Sequence, residues 1–157
     1  MGFLSWVEST AYAQWILTGL YGWPIMLSIH AIGLAIVFGI IFVLDLRLLG
    51  LYGSIPLTEV NRLMAVAWVG IALNVFTGLS LFTTQATSYV TSGVFLLKIG
   101  FIVLGVVNLV YTQKILQREA EGWERSSAVA RTRAVLSLSS IACWTIALVT
   151  ARLIAYV

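Results

Sequence analysis

His30 is the only histidine in the chain, and it lies in a stretch, 24–44, that carries no charged residue. An ionisable group at that position is expensive to bury in hydrocarbon, which makes it a functional-site candidate by default. Lys98 and Arg152 break the third and fourth apolar runs in the same way. A ring nitrogen of His30 can ligate a metal or haem iron. The ammonium and guanidinium present hydrogen-bond donors and charge together, which suits carboxylates, carbonyls and phosphates. Ligands that use all three are haem b with its propionates, a quinone carbonyl, or a phospholipid headgroup. Trp23, Met26, Gly33 and Val37 share the His30 face at helical spacing. Gly33 would let a flat macrocycle approach the backbone, and Met26 or a symmetry mate could supply a second axial ligand.

Other readings of the same residues stay open. Lys98 and Arg152 can snorkel, laying their stems along the helix and their charges at the headgroups. His30 would then be a neutral ring bonded to a backbone or hydroxyl group, in a non-catalytic interaction or assembly protein. His30 could instead hold a metal ion. Copper selection, however, needs soft sulfur and imidazole ligands, and the chain offers only Cys143, Met1, Met26 and Met64 beside His30. Hydrolytic triads, phosphate-binding loops and paired carboxylates are missing, and no acidic ring suggests a channel.

The elements that must position these groups follow from composition. Of 157 residues, 61% are hydrophobic and only 10% charged, with a mean hydropathy of +1.01. A soluble domain carries roughly a quarter charged residues, so the chain reads as an all-α integral membrane protein, one membrane domain over 1–157. Four spans are expected at about 24–49, 58–83, 93–116 and 129–156, each long enough to cross ~30 Å of hydrocarbon. Gly53, Ser54 and Pro56 suit a turn after the first, and Arg118, Glu119, Glu121, Glu124 and Arg125 make the third connector the most polar.

Arg47, Arg62, Lys114, Arg118, Arg125, Arg131 and Arg133 gather at the first and third connectors, whereas the middle connector and the termini hold almost no cations. The positive-inside bias then places both termini outside, in a multi-pass protein of the bacterial inner membrane. Topology explains the basic balance, and nucleic-acid binding is not needed to account for it. Residues 1–22 lack a basic leader region and are expected to form an interfacial helix, opened by a capping box at Ser5-Trp6-Val7-Glu8. Trp6, Tyr12, Trp15, Tyr21 and Trp23 would put rings at the headgroups. Under this topology His30 lies roughly 9 Å below the start of the first span, level with Lys98 and Arg152. Glu8 is the one acid close enough to act as their counter-ion.

Small residues let membrane helices approach. Ala31, Ala35 and Gly39 in the first span, Gly70, Asn74 and Gly78 in the second, and Lys98, Gly105 and Thr112 in the third form stripes that predict the seams of a four-helix bundle or of a homo-oligomer. Asp45 is expected to pair with Arg62, Arg131 or Arg133.

His30-Ala31-Ile32-Gly33, Asp45-Leu46-Arg47-Leu48-Leu49-Gly50 and Ala151-Arg152-Leu153-Ile154-Ala155-Tyr156 resemble a family of small, uncharacterised four-span bacterial inner-membrane proteins. Lys98 with Asn108 ten residues on is also similar to the copper-resistance D membrane proteins. The first resemblance implies the four-span topology; the second implies a periplasm-facing role in copper or redox homeostasis. The leading expectation is a redox-associated subunit holding a haem or quinone near the outer face, with lipids and a membrane or periplasmic redox protein as partners.

Overall fold

The computed structural model describes residues 2–51, 57–120 and 127–154, and every regular element among them is helical. Backbone groups in hydrocarbon must be satisfied within their own segment, and a helix does this. The order is α1 (Phe3–Glu8), α2 (Ala11–Thr18), α3 (Gly22–Leu48), α4 (Leu57–Phe82), α5 (Ala86–Thr91), α6 (Gly93–Ala120) and α7 (Ser127–Leu153). Four of them, α3, α4, α6 and α7, are long and apolar enough to cross a membrane, close to the spans expected from sequence. The Gly53-Ser54-Pro56 turn, the acids and arginine at 121–125 and the motif residues Ala155 and Tyr156 lie outside the described residues.

Pro24 falls in the first turn of α3, where its missing N–H is one the helix leaves unbonded anyway. The far end of α3 closes at Gly50, whose φ of +87° favours glycine. There the Gly50 amide donates to the Arg47 carbonyl and the Leu51 amide to the Leu46 carbonyl, at 2.9 and 3.1 Å.

The N-terminal segment differs from the single helix expected. It breaks at Ser9 and Thr10 because Thr10 caps a second helix, its hydroxyl accepting from the Ala13 amide at 3.3 Å. Ser5 is not a cap: α1 starts at Phe3 after Gly2 with no side-chain cap. Glu8, the other half of the expected box, ends α1 and reaches α5. Its Oε1 accepts from the Thr87 amide at 2.8 Å and from the Thr87 hydroxyl at 2.7 Å. The carboxylate therefore satisfies an otherwise unbonded amide in the first turn of α5, and is not spent as a counter-ion to Lys98 and Arg152.

Those contacts, hydroxyl first, hold the Glu8 carboxyl below its ordinary 4.5. A depressed folded pKa means the tie is fully present above 4.5 and is lost as pH falls through the lower, folded value. The Thr87 amide proton should therefore titrate by NMR with a midpoint under 4.5, and Glu8→Gln should abolish the titration. A midpoint at or above 4.5 would contradict the contact.

The long helices pack as two antiparallel hairpins, α3 on α4 and α6 on α7, joined mainly through α3 and α7. Val37, Ile41, Leu44, Met64, Leu109, Leu116 and Trp144 form the core between them. The α3–α4 seam runs along Gly33 and Val37 on one side and Gly70 and Asn74 on the other. A Cβ at Gly70 would stand 2.7 Å from the Val37 Cγ2. The α6–α7 seam seats the Trp144 indole on Gly105, where a Cβ would come within 2.9 Å of the ring. Beside it the Asn108 amide donates to the Ser139 hydroxyl and the Leu136 carbonyl at 2.7 and 2.9 Å.

Two expectations about packing are corrected. Ala31, Ala35 and Gly39 are exposed and make no seam within the chain, because α3 turns its Gly33–Val37–Ile41–Leu44 face inward instead. Arg62 pairs with Glu59 of its own helix at 3.6 Å. Asp45 is buried, with Ser140 of α7 beside it and its Oδ2 unbonded.

Candidate functional site

His30 lies eight residues into α3, on the face that meets α4. Its Nδ1 is 2.8 Å from the Thr77 hydroxyl. The ring edge rests over Gly78, where a Cβ would be 3.4 Å from the His30 Cε1. The Asn74 carbonyl also faces the ring. The imidazole thus lies against consecutive turns of α4, bonded to Thr77 and in contact range of Gly78.

Lys98 lies on α6, half-buried. Among the described residues it makes no ion pair and no hydrogen bond. Asn74 donates from Nδ2 to the Gly70 carbonyl of its own helix at 3.1 Å, leaving its buried Oδ1 without a partner. His30 and Asn74 thus lie on the α3–α4 seam, with Lys98 on the neighbouring α6.

Arg152 does not join them. It is exposed in the last turn of α7. Trp23 and Met26 are half-buried in the first turns of α3, at the same end of the bundle. Gly33 is not open space. A Cβ there would meet the Asn74 Nδ2 at 2.7 Å and the Leu73 Cδ2 at 3.3 Å, so the face expected to receive a macrocycle is filled by α4. Among the described residues no three His, Cys, Asp or Glu side chains gather to hold a metal ion.

The second wall comes from residues the sequence reading passed over. α4 and α6 touch little, and the hydrogen bond between them, Trp68 Nε1 to Gln113 Oε1 at 3.2 Å, lies toward the far end of both helices. At the His30 end they are joined instead by a stack of rings from three elements. Phe82 of α4, Tyr89 of α5 and Phe95 of α6 have centroids 5.1–6.2 Å apart. Phe95 is one turn from Lys98 on α6. Three rings at spacings of seven and six residues around an uncharged connector were the available signal. Tyr12 of α2 adds a strap, its hydroxyl 2.8 Å from that of Ser80 on α4.

Chemically, this end of the bundle offers a ring nitrogen, a cation on a neighbouring helix and an aromatic stack. No protein-family model matches the chain, and neither a curated protein nor a solved structure matches it significantly.

Proposed function

We propose that this is a multi-pass subunit of the bacterial inner membrane that binds a quinone-type headgroup between α3, α4 and α6 and serves a membrane or periplasmic redox partner. The observation that carries this reading is His30, bonded to Thr77 on the α3–α4 seam, at the end of the bundle where Phe82, Tyr89 and Phe95 stack across α4, α5 and α6 and where α6 carries Lys98. A six-membered dioxygenated ring needs donors and acceptors for its two oxygens and apolar or aromatic surface for its faces. Lys98 supplies a donor, His30 and Asn74 supply unbonded acceptors, and Phe82, Tyr89 and Phe95 supply the surface.

In this reading both termini lie outside, because Arg47, Lys114, Arg131 and Arg133 cluster at the opposite ends of their helices. α1 and α2 then lie along the outer interface, with Trp6, Tyr12, Trp15 and Tyr21 exposed to headgroups. A haem b reading rests on His30 alone, since the Gly33 face is occupied. A second reading is favoured by one observation: the exposed Arg152 at the end of α7 suits a phospholipid phosphate, and fits a non-catalytic protein partnered by lipid.

Calorimetric titration of the protein in nanodiscs with a short-chain benzoquinol tests the proposal. Binding should weaken at least about tenfold in both His30→Ala and Lys98→Met, the loss expected for one hydrogen bond made in a dry site. Undiminished binding in both variants, or none in the wild type, would remove the proposal. A Soret band in the purified protein that vanishes in His30→Ala would transfer the site to haem b.

A further inference from the structure

Thr77 has one proton, and the geometry shows where it goes. Its hydroxyl is 2.8 Å from the Leu73 carbonyl and 3.4 Å from the Asn74 carbonyl, both of which can only accept. With that proton committed, the Thr77 oxygen can meet His30 Nδ1 at 2.8 Å only as an acceptor. The ring must then carry its proton on Nδ1. The same geometry recurs one turn on: the Ser80 hydroxyl donates to the Phe76 carbonyl at 2.8 Å and lies 2.8 Å from the Tyr12 phenol oxygen.

We infer that Thr77 is a positioning residue: it locks His30 as the Nδ1–H tautomer, leaving Nε2 as the acceptor that makes the site selective for the reduced, hydroxyl-bearing form of its ligand. In water a free histidine side chain prefers the opposite tautomer, so the lock works against the intrinsic preference. The bond made by one imidazole nitrogen decides what the other can do. An acceptor Nε2 takes a hydrogen bond from a quinol hydroxyl and offers nothing to a quinone carbonyl. The ligand half of this inference rests on the quinone-type reading above; the tautomer half stands without it.

A single histidine makes the tautomer directly readable. In protein labelled with ¹⁵N-histidine, long-range ¹H–¹⁵N spectra assign the proton to one nitrogen. The expected result is Nδ1–H in the wild type and in Thr77→Ser, with Thr77→Val shifting the ring toward Nε2–H. An Nε2–H ring in the wild type, or an unchanged Nδ1–H ring in Thr77→Val, overturns the assignment of Thr77. Calorimetry with a short-chain benzoquinol and its oxidised benzoquinone then reads selectivity. The wild type should favour the quinol by about tenfold, and Thr77→Val should narrow that ratio while Thr77→Ser keeps it. Equal affinity for the two forms overturns the selectivity. Binding of neither form, in protein whose ring is Nδ1–H, overturns the quinone-type reading and the selectivity together but upholds the Thr77 lock.

Discussion

Trp144→Ala should lower the stability of the bundle by about 3 kcal/mol, at the lower end of the range for deleting a buried aromatic side chain. The indole is 6% exposed, sits directly on Gly105, and belongs to the core that joins the two hairpins. Lipid is as apolar as the side chain, so little of the loss comes from transfer out of water. It comes from the contacts that a void between α6 and α7 forfeits. Denaturation by sodium dodecyl sulfate in mixed micelles, followed by far-UV circular dichroism, measures the change. Trp144→Phe should recover most of it, because a smaller ring still covers Gly105. A midpoint for Trp144→Ala equal to that of the wild type would show that the indole's seat on Gly105 does not hold α7 on α6.

Gly33→Leu and Gly39→Leu, the same substitution six residues apart on one helix, should give opposite results. At Gly33 even the first added carbon would overlap the Asn74 amide, so α3 and α4 must separate. Overpacking of this kind costs about 2 kcal/mol, and the separation should also pull His30 from Thr77 one turn away. At Gly39 nothing lies within 4 Å of an added Cβ. A leucine there meets lipid and should leave stability within about 0.5 kcal/mol of the wild type. The ¹⁵N signals of His30 supply a second readout, expected to move in Gly33→Leu and to stay fixed in Gly39→Leu. Equal loss of stability in the two variants would mean that α3 uses its Ala31–Ala35–Gly39 face after all, in contact with a second chain.

The three polar interruptions show how far residue type alone can lead. His30, Lys98 and Arg152 are conspicuous because the runs around them are apolar, and that contrast needs no structure to see. Helix length and spacing place all three near one level. They do not give the rotation of each helix about its axis, and rotation decides which side chains turn inward. α3 turns inward so that Gly33 meets Asn74, which brings His30 to Thr77. α7 presents Trp144 and Ala147 to its neighbours, which leaves Arg152 exposed.

Glu8 illustrates the same limit at shorter range. Ser5 and Glu8 have the spacing of a reciprocal cap, and a local rule pairs them. The fold instead carries Glu8 to Thr87, 79 residues away, because α1 packs on α5 and an unbonded amide there is better satisfied by a carboxylate than by water.

The sequence by itself determined the all-helical architecture, the number of membrane-crossing helices, their limits to within a few residues, and the seam at Gly70, Asn74 and Gly78. These follow from hydropathy and from the requirement that backbone groups bond within their own segment, both of which act along the chain. Tertiary structure alone decided which face of each helix turns inward, that His30 bonds Thr77 over Gly78, and that Phe82, Tyr89 and Phe95 stack across three elements. Such choices depend on how complementary surfaces from distant segments fit at van der Waals distance, and no periodicity within one helix encodes the shape of its neighbour.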